Sequence, residues 1–147
     1  MFGNWFGKKQ EIASEHPWAV ATAQDNGMPL IIRYREVLPS FPRTQYPSML
    51  AVQWRYESQD NGMPDAATED RMDLLQDLLM PALEDSGNAL LTAVVTGNCI
   101  RESQWYVRVM VESMKCVNQA LAGQAPFPIE FMMEEDPAWA AYQQFVQ

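Results

Sequence analysis

From Leu50 to Glu57 the chain alternates. Leu50, Val52, Trp54 and Tyr56 fall on one side and Ala51, Gln53, Arg55 and Glu57 on the other, the period that marks a half-buried strand. Further along the period lengthens. Met72, Leu75, Leu79 and Leu83 recur at helical spacing, which predicts a helix from about Ala66 to Asp85, with Asp65 as N-cap and Ser86-Gly87-Asn88 ending it. Pro81 lies inside that span, removes the hydrogen bond to the Asp77 carbonyl, and should kink or break the last turns.

Hairpins flank this strand and helix. WAVATAQDNGMPLIIRYREVL reads as two β-prone runs around Asn26-Gly27, both of which tolerate positive φ. The Pro39, Pro42 and Pro47 stretch that follows is an extended loop. NALLTAVVTGN is almost continuously apolar, as a strand buried on both faces would be, and RESQWYVRVM supplies its partner. Met114, Val117 and Leu121 predict a second helix ending at Gly123, and Ile129, Phe131 and Met133 a closing strand. Asp136 as N-cap and Pro137 at the first helical position, with Trp139, Tyr142 and Phe145 or Val146 behind them, predict a short docking helix.

From residue 49 the order is βαββαβ, the split βαβ arrangement. The expected fold is α+β: a ferredoxin-like βαββαβ sandwich with an extra N-terminal β-hairpin and a short C-terminal helix. Its first and third core strands should be central, with the two longer helices on one face. The pattern does not choose which sheet edge the hairpin over 18–38 extends. Residues 1–16, interrupted by Gly3, Gly7, Lys8 and Lys9, read as a flexible arm ahead of a single domain over 17–147.

At 147 residues, 48% hydrophobic and 20% charged, the chain has the size and composition of one soluble globular domain. No run approaches the roughly 20 apolar residues of a membrane span, and the opening segment lacks a secretory apolar core, so no membrane association and a cytoplasmic location are expected. The net charge of −9 is unevenly distributed: residues 59–88 hold eight acidic side chains and one basic. Such a field repels phosphate backbones, so nucleic-acid binding is not expected, and it permits a basic protein partner.

Candidate chemistry is sparse. His16 is the sole histidine, Cys99 and Cys116 form no CxxC motif, and neighbouring Glu134, Glu135 and Asp136 alternate across a strand end rather than converge. No catalytic, metal or cofactor residues are therefore assigned. The hexapeptide Gln-Asp-Asn-Gly-Met-Pro occurs at residues 24–29 and again at 59–64. Its flanks place the first copy in a hairpin and the second before a helix, where Asn-Gly and X-Pro are wanted as turn formers. Trp18, Trp54, Trp105 and Trp139 serve either core packing or a small-molecule pocket. The best candidate is one face of the first helix, where Asp70, Asp73, Asp77 and Glu84 form an acidic stripe bordered by Leu74 and Leu78.

The strand Leu50, Val52, Trp54, Tyr56 running into Gly62-Met63-Pro64, the acidic helix, the Trp105-Tyr106 strand and the closing Asp136-Pro137-Ala138-Trp139-Ala140-Ala141-Tyr142 together resemble the bacterial domain-of-unknown-function family numbered 695. The resemblance covers nearly the whole chain beyond the arm. It implies kinship in fold with the acidic regulator B of ribonuclease E, a protein-binding inhibitor, and it carries no catalytic residues. The expected function is a non-enzymatic, acidic, protein-binding module of the regulator, inhibitor or immunity type. The alternative is a small-molecule-binding domain with an aromatic pocket. Homodimers through open sheet edges are compatible with either.

Overall fold

The computed structural model describes residues 10–15, 17–58 and 61–146. Among these residues seven strands make one antiparallel sheet: β1 (Gln10–Glu15), β2 (Trp18–Asp25), β3 (Met28–Arg35), β4 (Ser48–Arg55), β5 (Ala89–Gly97), β6 (Ile100–Val107) and β7 (Ile129–Glu135), in the spatial order β1-β2-β3-β5-β6-β4-β7. The β4-to-β7 portion is the expected βαββαβ unit, with its first and third strands, β4 and β6, in the middle. The added hairpin joins the β5 edge, where Ile32 pairs with Val95 and Tyr34 with Ala93. Its turn is the one foreseen, with Asn26 at φ 51° and Gly27 at φ 79°.

Part of the expected arm is sheet. Gln10–Glu15 pairs with β2 as an edge strand, so only residues 1–9 and His16 of that stretch lie outside the described residues. The extended backbone of residues 10–15 is set by its long-range partner, which local composition does not reveal.

α1 (Ala66–Met80) begins where predicted, Oδ1 of Asp65 accepting from the Thr68 N–H at 2.8 Å. As Pro81 implies, the α-helix stops at Met80, and Pro81–Asp85 follows as one π-helical turn, the chain absorbing the lost hydrogen bond by widening. α2 (Met110–Leu121) shares the same sheet face. Between sheet and helices lies the main core: Leu50, Val52 and Trp54 of β4, Leu91 and Val94 of β5, and Trp105 and Val107 of β6 meet Met72, Leu75 and Leu79 of α1 and Val117 of α2. Each such aliphatic side chain contributes about 1.5–3 kcal/mol on leaving water.

β4 is not half-buried as its alternation suggested. Every residue from Ser48 to Trp54 is buried, because a second layer covers the other face. α3 (Ala140–Val146) seats Tyr142 and Phe145 there beside Trp139, which stacks on Tyr106 at 4.0 Å between ring centroids. α3 starts three residues later than the Pro137 prediction, since Trp139 takes φ 57° and turns its ring inward, its Nε1 donating to the Tyr46 carbonyl at 2.9 Å. Asp136 is the cap nonetheless, its two oxygens accepting from the Ala140 and Ala141 N–H groups at 2.8 and 3.0 Å.

Candidate functional site

Position along α1 decides what each predicted acidic residue does. With 3.6 residues per turn, Asp70 and Asp77 project opposite the Met72, Leu75, Leu79 stripe and are exposed. Among the described residues neither carboxylate has an ion pair or hydrogen bond. Leu74, 39% exposed, stands beside them, and Leu78 is half-buried.

Asp73 turns the other way. With Glu69, one helical turn earlier, it faces the Arg101 guanidinium of β6 at 3.8 and 3.7 Å respectively. Glu84, the last member of the predicted stripe, is removed from the surface. The π turn rotates it toward Arg35, whose Nη2 lies 3.1 Å from both of its carboxylate oxygens. The cause is in the sheet. The β3–β5 ladder ends at the Tyr34–Ala93 pair, and the β5–β6 pairing is bulged between Leu91 and Ala93, so the Leu91 backbone has no partner on β3. Arg35 Nε donates to the Leu91 carbonyl at 2.7 Å, and Glu84 accepts from the Leu91 N–H at 2.8 Å. The pair acts as a substitute strand.

α1 lies over β5, β6 and β4 and leaves the same face of the hairpin uncovered. A groove of about 260 Å³ runs between them. Arg33, Thr96 and Arg101 form its floor and Glu69, Asp73 and Gln76 its helical wall. Arg101 Nε donates to Thr96 Oγ1 at 2.8 Å, which aims the guanidinium along the groove. Burial lowers the Arg101 pKa; Glu69 and Asp73 oppose that shift, and the positive charge of Arg33 adds to it. Arg33 is itself braced by Trp18, its guanidinium carbon 5.0 Å from the ring centroid.

The first copy of the repeated hexapeptide and the described part of the second, residues 61–64, meet at one end of the sheet. Gly62 of the second copy, φ 80°, packs so closely on the β5–β6 turn that a Cβ there would lie 2.7 Å from the Asn98 nitrogen, and Met28 of the first copy touches the same spot. The Gly62 carbonyl accepts from the Tyr56 hydroxyl at 2.6 Å and the Cys99 N–H at 3.0 Å. Met63 and Pro64 then close one end of the groove. The motif is turn chemistry that positions a groove wall.

The tryptophans do not assemble one pocket. Trp54 and Trp105 line a cavity of about 30 Å³ under α1, room for about one or two waters, whereas Trp139 lies on the opposite face. Cys99 and Cys116 are free thiols, both partly buried.

Sequence reasoning missed a polar cluster beneath the second face. Glu102 of β6 is fully buried, its two carboxylate oxygens each accepting at 2.7 Å from the amides of Gln53 and Gln104. The amide oxygens of both glutamines are buried and unpartnered. Gln53 was the available signal, masked because the half-buried alternation of β4 put it on the side away from Leu50, Val52 and Trp54.

An α+β domain presenting an acidic helix face beside a mixed-charge groove is the class of protein these features define. The sequence model of a family described as a family of unknown function (DUF695) matches residues 16–147, and the chain belongs to that family. No curated protein and no solved structure matches the chain.

Proposed function

We propose that the protein is a non-enzymatic binding module that docks the outward face of α1 on a basic protein in the cytoplasm, as a regulator, inhibitor or immunity-type partner. One observation carries this reading: Asp70 and Asp77 flank exposed Leu74 on the outermost side of the helix, and no cation among the described residues neutralises them. The chain bonds Glu84 to Arg35 and turns Asp73 toward Arg101, and leaves these two carboxylates for a partner. An apolar centre with a rim of one charge sign steers a complementary surface and excludes like-charged ones. The regulator kinship implied by the resemblance agrees with this reading.

The test is a tagged pull-down at low and moderate salt, run beside Asp70→Lys/Asp77→Lys, followed by titration with the purified captured protein. Asp73 is left intact because it belongs to the groove. A basic protein bound by the wild type, weakened by salt and lost by the double variant supports the module. Equal retention by the variant, or no specific capture, overturns it.

A further inference from the structure

We infer that the groove between α1 and β3 binds a small zwitterion of the α-amino-acid class, with its carboxylate on Arg101 and Arg33 and its ammonium toward Glu69 and Asp73. The inference stands apart from the α1 docking face, sharing none of the residues varied to test it.

The charges are ordered by depth. The Arg101 side chain is 18% exposed, whereas those of Glu69 and Asp73 are 54% and 67% exposed. The positive group is the floor and the negative groups are the rim. At 3.7 and 3.8 Å the rim carboxylates attract the guanidinium without closing hydrogen bonds on it, so the Arg101 terminal N–H donors face the groove still available to a closer acceptor. Arg33 lies close enough for its charge to disfavour a second cation at Arg101, an arrangement an incoming carboxylate relieves.

A simple anion gains the floor but meets repulsion from the rim. A simple cation has the reverse problem. A molecule carrying both charges a few bonds apart, anionic end inward, satisfies the four charged groups together. Ile31, Met63, Pro64 and Val94 supply apolar wall for an aliphatic side chain. The volume of about 260 Å³ suits a molecule of that size.

The experiment is isothermal titration calorimetry of the full chain with L-leucine and L-methionine, then with L-leucinamide and N-acetyl-L-leucine. The expected result is saturable binding of a free amino acid, weakened at least about 10-fold by blocking either charged end. Arg33→Gln, at a half-exposed position, should weaken binding by a similar factor with an unchanged circular dichroism spectrum, and Arg101→Gln should abolish it. Asp70→Lys/Asp77→Lys should bind the amino acid as the wild type does, which keeps this result separate from the fate of the docking face. Absence of heat with both amino acids up to about 10 mM, equal binding of the amide, or Arg33→Gln binding like the wild type would overturn the inference.

Discussion

The Tyr106 hydroxyl of β6 donates to Oδ2 of Asp136 at 2.6 Å and accepts from the Tyr142 N–H at 3.2 Å. One phenol thus ties the centre of the sheet to the cap and the first turn of α3. Burial is the main cause that pushes the Tyr106 pKa far up, the hydrogen bond to Asp136 adding to it, so the phenol stays a donor.

Asp136→Ala should therefore act as more than a lost cap. It strands the Ala140 and Ala141 N–H groups and the Tyr106 hydroxyl together, an expected cost of about 2–4 kcal/mol. Thermal unfolding should register a fall in Tm of roughly 5–15 °C. Glu134→Ala, two residues earlier and exposed, should stay within about 0.5 kcal/mol of wild type.

The acidic residues of α1 and of the π turn behind it should separate into two groups on urea unfolding. Glu84→Ala leaves the Arg35 guanidinium and the Leu91 N–H without their partner and should cost about 2–4 kcal/mol. Asp70→Ala and Asp77→Ala, on the open side, should change stability by no more than about 0.5 kcal/mol. Equal effects would refute the division of labour drawn from the geometry.

The repeated hexapeptide offers an internal comparison. Gly27 and Gly62 share a positive φ, but a Cβ at Gly27 meets nothing within 4 Å while one at Gly62 meets the Asn98 backbone. Gly27→Ala should cost about 1–2 kcal/mol, the left-handed penalty alone. Gly62→Ala should cost about 1–3 kcal/mol more, because the backbone it strikes cannot rotate away.

At alkaline pH Tyr56 should make a separable contribution. Burial, aided by the field of Cys99, pushes its pKa up from 10.0 to about 12, so the folded state favours the neutral phenol. The stability it contributes is fully present below pH 10 and is lost as pH rises through about 12. The advantage of wild type over Tyr56→Phe, measured by urea unfolding, should be constant on the neutral side and shrink across that window. An advantage that grows with pH would contradict the assignment.

Much of the architecture was legible because it rests on local periods. Alternation in residues 50–56 and helical spacing from Met72 to Leu83 are properties of one strand and one helix, and Asn26-Gly27 makes its turn with only its own φ angles. The βαββαβ order then limited how the elements pair. The candidate face was legible in part. Asp70 and Asp77 project outward as helical geometry alone requires, but the pull on Glu84 comes from Arg35 and the Leu91 N–H beyond the end of the β3–β5 ladder, and the pull on Asp73 from an arginine on another element.

The sequence by itself determined the elements from β2 onward, their order and the position of the negative charge, since each depends on neighbours along the chain. Only the tertiary structure decided which faces are covered. β1 is a strand because β2 is beside it, and Gln53, Glu102 and Gln104 are interior because a second layer closes over their face of the sheet. The groove has the same origin. Arg33, Arg101 and Asp73 lie on three different elements, and their charges act on one another only because β3 joins β5 while α1 stops short of covering it. Charges distant in sequence interact strongly only when packing brings them close and thins the water between them.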